Sequence, residues 1–153
     1  MLSLAGPIVE ASGFARTTPV HRMETEDLVC AAVRFASGAV GVIDATTAAY
    51  PGAPERIELI GTLGSASLIG TALEVHYCDG RREQLAADAS PGGTGADPMA
   101  FPHDYHLGVW RDFLDALDQG RPPRIAGSEA LKVHRLIDAL LESGVAGGKV
   151  AVR

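Results

Sequence analysis

Between Glu26 and Leu68 the chain reads EDLVCAAVRFASGAVGVIDATTAAYPGAPERIELIGTLGSASL, a succession of short apolar runs broken by glycine and proline. Leu28 to Phe35 is rich in β-forming residues. Ser37-Gly38 supplies a turn, and Val40 to Ala49 runs back, which predicts a hairpin. In the second arm, Val40, Val42, Asp44 and Thr46 fall on one face, and Gly41, Ile43, Ala45 and Thr47 on the other. Neither face is strongly charged. A half-solvated antiparallel sheet alternates more cleanly than this. Small and apolar residues on both sides therefore predict a sheet covered twice, by helices on one face and by a partner subunit on the other.

The pattern continues on either side. Ile8 to Phe14 suits a first strand, with a polar connection over Arg16 to Glu24 that contains Pro19. Tyr50-Pro51-Gly52-Ala53-Pro54 breaks the ladder. Arg56 to Ile60 alternates, with Ile57 and Leu59 opposite Arg56 and Glu58. Further strands are predicted at Ser65 to Ile69, Leu73 to Tyr77 and Arg82 to Leu85, the last pair joined through Asp79-Gly80. Ala86 to Ala100 is small, polar and glycine-rich, long for a plain connection and suited to folding over a site.

Two helices follow. From Asp104 to Asp118, Leu107, Trp110, Leu114 and Leu117 recur at helical spacing, and Phe113 widens the stripe. The second helix is predicted to start after Ser128 as N-cap, with Glu129 in its first turn, and to stop at Gly144. Its expected buried face is Ala130, Val133, Leu136, Ile137, Leu140 and Leu141. Lys149 to Val152 reads as a last short strand. Strands in a run, then helices, define an α+β class rather than a doubly wound one. The expectation is a single domain over residues 1–153: an open, mainly antiparallel sheet with two main helices on one face, the other face free for oligomerisation.

The length of 153 residues is enough for one core, and 46% hydrophobic with 21% charged residues is ordinary for a globular chain. A net charge of −6 without a basic cluster argues against nucleic acid as partner. No apolar run reaches the ~20 residues of a membrane span, and Met1-Leu2-Ser3-Leu4-Ala5 has no signal-peptide pattern, so the expected location is cytoplasmic. Cys30 and Cys78 read as two small buried side chains in a reducing compartment.

Chemistry-bearing patterns are sparse. A dinucleotide fingerprint needs G-x-G-x-x-G between a strand and a helix. Gly93-Thr94-Gly95 has Pro98 at the third glycine position and no apolar strand before it, so no cofactor-binding residue is assigned. Gly148-Lys149 is followed by Val150 and is no phosphate loop. His76, Cys78, His103, Asp104 and His106 match no zinc spacing, and no metal ligand is assigned. No nucleophile–base motif stands out, and no catalytic residue is assigned. Three side chains are candidate substrate contacts. His106, at the start of the first long helix, suits a polyol hydroxyl or proton transfer. Tyr50 offers a hydroxyl donor and acceptor. Arg56 offers a fork for a carboxylate or phosphate, or pairs instead with Glu58 or Asp44.

In order, GPIVEASGF, the Glu24–Leu68 run, and H-L-x-x-x-x-DFLDAL-x-x-GRPPRIAGSEALKVHRLIDALLESG resemble the C-terminal domain of the Gfo/Idh/MocA oxidoreductases, the family of glucose–fructose oxidoreductase and inositol dehydrogenase. The resemblance implies a two-domain parent. One domain is a Rossmann module holding NAD or NADP and carrying the catalytic lysine, aspartate and histidine; the other is an α+β domain that shapes a sugar or polyol pocket and makes dimer or tetramer contacts. The glycine fingerprint and catalytic segment find no match in this sequence. On this reading the chain is a substrate-binding and oligomerisation domain, inactive alone, with no cofactor of its own. A Rossmann domain would lie upstream or on a separate chain. Two rivals stand beside it: a stand-alone, non-enzymatic sheet dimer serving as scaffold or small-ligand module, and a hydrolase or isomerase built on His103, Asp104 and His106.

Overall fold

The computed structural model describes residues 1–86 and 103–153. It has the predicted α+β class. The chain forms α1 (Leu2–Ala5), β1 (Ile8–Arg16), β2 (Leu28–Phe35), β3 (Val40–Thr46), β4 (Arg56–Gly61), β5 (Gly64–Ile69), β6 (Ala72–Tyr77), β7 (Arg82–Leu85), α2 (Asp104–Asp118), α3 (Gly127–Ala146) and β8 (Val150–Ala151). All strand pairings are antiparallel. The strands divide between two four-stranded sheets, ordered β3-β2-β1-β8 and β4-β5-β6-β7. They belong to two compact units, one comprising Met1–Ala48 with Tyr105–Arg153, the other Ala49–Asp104. The glycine-rich segment predicted to fold over a site lies outside the described residues.

In the first unit the hairpin of β2 and β3 pairs Leu28 with Thr46 through Arg34 with Val40. β1 pairs along β2 with a register shift between Ile8 and Glu10. That extra residue breaks the strict alternation of side chains, so Ile8 and Ala11, three apart, both turn inward and are buried. With Ala31, Val33 and Phe35 of β2 they meet Leu136 and Leu140 of α3 to form the core. Each large side chain buried there contributes roughly 1.5–3 kcal/mol.

α3 approaches β1 closely, and two small residues allow it. Ser143 is fully buried. Its hydroxyl accepts from the Gly13 amide at 2.9 Å and donates to the Gly148 carbonyl at 2.6 Å. β8 reaches only Glu10 and Ala11 on that edge of β1, so the serine supplies the acceptor that the ladder no longer provides. A Cβ at Gly144 would lie 2.8 Å from the Ala15 amide nitrogen. Gly144 is therefore a contact inside the helix, not its stop. The helix runs on to Ala146 and ends at Gly147, whose φ of 68° gives a left-handed C-cap that a side chain would disfavour. At the other end Ala126, not Ser128, holds the N-cap position. The buried stripe of α3 is Leu136, Ala139, Leu140 and Ser143, while Val133 and Ile137 are exposed. The stripe is rotated from the expected one because the small residues set where the helix touches the strand.

The β1–β2 connection is tied to one buried carboxylate. Asp27 accepts from the Thr18 amide at 2.6 Å, the Thr18 hydroxyl at 2.7 Å and His21 Nδ1 at 3.0 Å. Burial pushes this carboxyl up, but the Thr18 and His21 hydrogen bonds outweigh it and hold it below its ordinary value. α2 is anchored in a similar manner. Asp112 accepts from the Arg124 amide at 2.6 Å and from Arg121 at 2.9 Å, clasping the proline-rich turn that follows the helix.

Candidate functional site

The face of the first sheet turned away from α3 has a composition that cross-strand register makes visible. Phe14, Cys30 and Asp44 form one row, Ser12, Ala32 and Val42 the next, and Glu10, Arg34 and Val40 a third. Phe14, Val40 and Val42 are 68%, 79% and 76% exposed. Charge is confined to the ends of the patch. Arg34 reaches Glu10 at 3.2 Å, and Lys149 approaches the same carboxylate at 3.8 Å. These cations hold the Glu10 carboxyl below its ordinary value, the hydrogen bond from Arg34 being the largest cause. A shallow groove of about 480 Å³ runs over the middle rows, walled by Phe14, Cys30, Val42 and Asp44.

Cys30 lies on this open face, and Cys78 is exposed as well, so neither is the buried side chain expected of it. Residue type alone suggested burial; strand parity places Cys30 outward. Its thiol lies 3.4 Å from Asp44 Oδ1. That hydrogen bond pushes the thiol pKa up, and the thiol serves as a weak donor to Asp44.

The second unit presents two unlike sheet faces. Register aligns Glu58, Ser67, Glu74 and Gln84 in one row and Ile60, Ser65, His76 and Arg82 in the next, where Ile60 is exposed at the edge. Glu74 meets His76 Nε2 at 2.8 Å. The two rows together offer carboxylate, hydroxyl, amide and imidazole groups, a set able to hydrogen-bond a hydroxyl-rich molecule. The opposite face is apolar and carries a groove of about 340 Å³ lined by Leu59, Leu63, Ala66, Val75 and Tyr77. The Tyr77 hydroxyl donates to Glu83 at 2.9 Å, and the Arg81 guanidinium stacks 4.4 Å from its ring centroid. The bond to Glu83 pushes the phenol upward. Alternation in RIELI, LEVHY and REQL carried the signal for the polar rows, but only pairing shows which residues share one.

The three candidate substrate contacts are all at the surface. Tyr50 is 92% exposed, before Pro51 in the segment between β3 and β4. Arg56 opens β4 and is engaged by Glu58 on the same face; of the two carboxylates considered for it, that is the one it meets. Tyr50 and Arg56 belong to the second unit, and His106, also exposed, sits in the first turns of α2 in the first. Among the described residues no group of three His, Cys, Asp or Glu is placed to hold a metal ion, and no helix is long and apolar enough to cross a membrane.

The chain is similar to an Agrobacterium radiobacter oxidoreductase solved with NAD+, L-tartaric acid and magnesium, at TM-score 0.79 and 23% identity over 99% of this chain and 45% of that one. It is similar to levoglucosan dehydrogenase in complex with NADH and levoglucosan, at 0.78 and 22% over 99% and 46%. A third likeness is to the WlbA dehydrogenase of Bordetella pertussis with NADH and UDP-GlcNAcA, at 0.72 and 22% over 98% and 42%. At these identities the likeness establishes the fold, and this chain spans less than half the length of each. No curated protein sequence matches it closely enough to name a relative. Residues 1–67 match the family model described as GFO/IDH/MocA C-terminal domain. The family resemblance read from the residues is thus matched by a family model over residues 1–67, and the fold is matched by solved oxidoreductases over 99% of the chain.

Proposed function

We propose that this chain is the substrate-binding and oligomerisation domain of an NAD(P)-dependent sugar or polyol oxidoreductase, inactive without a nucleotide-binding domain. The observation that carries the reading is the outward face of the first sheet, where Phe14, Val40 and Val42 stand open to solvent in adjacent rows. A soluble monomer rarely leaves such a contiguous patch bare. Two copies stacked through it would form a dimer or tetramer with an apolar centre and the Glu10–Arg34 pair at its rim. In the second unit, the polar rows of the sheet, with Arg56 and the exposed Tyr50, are the groups offered to a hydroxylated substrate; in the first, the exposed His106 is a separate candidate contact. The solved relatives hold tartaric acid, levoglucosan and a nucleotide sugar acid, ligands rich in oxygen, which supports that class.

Light scattering on the purified chain tests the assembly. A mass of two or more copies is expected. Val42→Asp places an unpaired charge in the interface and should weaken association by about 100-fold or more. A monomer at high concentration, or an assembly indifferent to Val42→Asp, refutes the oligomerisation reading. Calorimetry with NADH tests the other half: tight binding by the chain alone would refute the requirement for a second domain. The same open face also suits a stand-alone scaffold. That reading predicts assembly with no binding of polyols, and a titration with polyols separates the two.

A further inference from the structure

We propose that β3 pairs antiparallel with β3 of a second copy about a two-fold axis at Ile43, an inference that rests on the assembly reading above and adds an edge contact to the stacked face. β3 closes the first sheet, whose order is β3-β2-β1-β8. The hairpin bonds settle which way its backbone points. Phe35 N donates to the Ala39 carbonyl at 2.9 Å, and Thr47 N donates to the Asp27 carbonyl at 3.0 Å. The register of β2 with β3 is unbroken between these rungs. Odd-numbered residues of β3 therefore bond β2, and the amides and carbonyls of Val40, Val42, Asp44 and Thr46 point to the open edge. Proteins blunt such edges with charge, proline or shortness. β7 carries Arg82 and Glu83, β4 carries Arg56 and Glu58 just after Pro54, and β8 is cut to Val150–Ala151. β3 reads VGVIDAT, with no lysine, no proline, no register shift and a single carboxylate. Among the described strands it is the edge left ready to pair.

The strand's own sequence chooses a second copy as the occupant. Antiparallel pairing sets outward side chains beside outward ones, so a two-fold axis between identical strands passes through a residue. At Ile43 every edge-facing residue finds a partner: Val42 meets Asp44, and Val40 meets Thr46, each twice, for about eight backbone hydrogen bonds. The inward residues Gly41, Ile43 and Ala45 run small, large, small from either end. Each Gly41 would face an Ala45, and Ile43 would face its own copy. Ile43 already packs against the core, so the pair would carry that core across the edge. Asp44, the one charge of the strand, lies opposite Val42 and diagonal to the other Asp44 rather than facing it. The axis stands perpendicular to the sheet, so both outward patches keep the same side. Val40 and Val42, 79% and 76% exposed, then belong to one apolar surface that is continuous over two copies. Two such pairs stacked through that surface make a tetramer with two kinds of self-complementary contact.

Ile43→Cys, in a chain that also carries Cys30→Ser and Cys78→Ser, tests the register. Directly opposed residues of a non-hydrogen-bonded pair have Cβ atoms about 4.5 Å apart, within reach of a disulfide. Oxidised glutathione should convert most of this variant to a covalent dimer, seen on a non-reducing gel. Ala45→Cys in the same background faces Gly41 and should link at least about tenfold more slowly. Stacked faces cannot give the link, because Ile43 points away from them. Urea unfolding verifies that each variant folds. Amide hydrogen exchange on the unaltered chain is the second measurement. The Val42 and Asp44 amides should slow at least about tenfold between about 10 μM and about 1 mM chain, while Gly41 and Ile43, bonded to β2, stay unchanged. Equal linking of the two variants overturns the proposal, as does exchange at Val42 and Asp44 that ignores concentration. If those amides are slow at every concentration, a strand of the same chain occupies the edge, and the proposal falls too. The outcomes separate the two readings. No link from a chain whose assembly is weakened by Val42→Asp sinks the edge pair alone. NADH binding by the chain itself sinks the functional reading and leaves the edge pair standing.

Discussion

α2 and α3 are both amphipathic helices of good length, yet they have opposite fates in the fold. α3 lays Leu136, Ala139, Leu140 and Ser143 against β1 and β8. α2 buries Ala116 and leaves its aromatic and aliphatic side chains in solvent. A hydrophobic stripe states that a helix needs a partner, not that the partner lies within reach. For α3 the partner is specified by small residues at one spot, Ser143 and Gly144 against Gly13 and Ala15. α2 has no such spot and is tied instead by polar bonds from the turn after it to Asp112. Most of the helical contribution to stability should therefore reside in α3.

The largest contrast is expected from leucine truncation. Leu140→Ala removes a side chain from the packed core and should destabilise the chain by about 2–5 kcal/mol. Leu114→Ala, on the open side of α2, should stay within about 0.5 kcal/mol. Urea unfolding of the two variants measures both. Equal losses would show that α2 is packed as firmly as α3 and would remove the distinction.

Glycine gives a smaller test of the same contrast, with opposite signs. Gly144→Ala drives a methyl into the Ala15 backbone and should cost about 1–3 kcal/mol. Gly108 in α2 has nothing within 4 Å of a built Cβ. Gly108→Ala should stabilise by about 0.5–1 kcal/mol through helix propensity. Thermal melts of the pair check the signs; a stabilising Gly144→Ala would mean that the helix does not sit where it touches β1.

These glycines also mark what the residues alone conveyed. Strands at Leu28–Phe35 and Arg82–Leu85 and the helix Asp104–Asp118 were legible, since local alternation, turn dipeptides and 3.6-residue periodicity determine them. Gly144 was not, because a contact glycine inside a helix and a terminating one are the same letter; only the approach of Ala15 separates them. The bulge between Ile8 and Glu10, which turns both Ile8 and Ala11 inward, depends on pairing with β2 and has no local signature. The candidate site shows the same division. Tyr50, Arg56 and His106 stand out in the sequence by what their side chains can do. The Phe14–Cys30–Asp44 row and the Glu58–Ser67–Glu74–Gln84 row exist only once register is set.

The subtlest test separates the clasp of α2 from the tie of the β1–β2 connection through pH. The Asp112 carboxyl is held below its ordinary value by the Arg124 amide first and by Arg121 as well, against the opposing push of burial. Asp27 is lowered too, by Thr18 and His21 against burial. A carboxyl depressed in the folded state binds protons less readily there than in the unfolded chain. Its contribution is therefore complete above the unfolded value of about 3.9 and is lost as pH falls through the folded one. Both ties should loosen as pH falls below about 4, and stability should fall with them. Trp110 fluorescence follows α2, while amide hydrogen exchange in β1 and β2 follows the first sheet. Asp112→Asn removes the titrating clasp, so it should flatten the acid response of Trp110 and leave the sheet response, which Asp27 governs. If the Trp110 curve is the same in Asp112→Asn, the clasp is not what holds α2, and the helix must be held by apolar contacts after all.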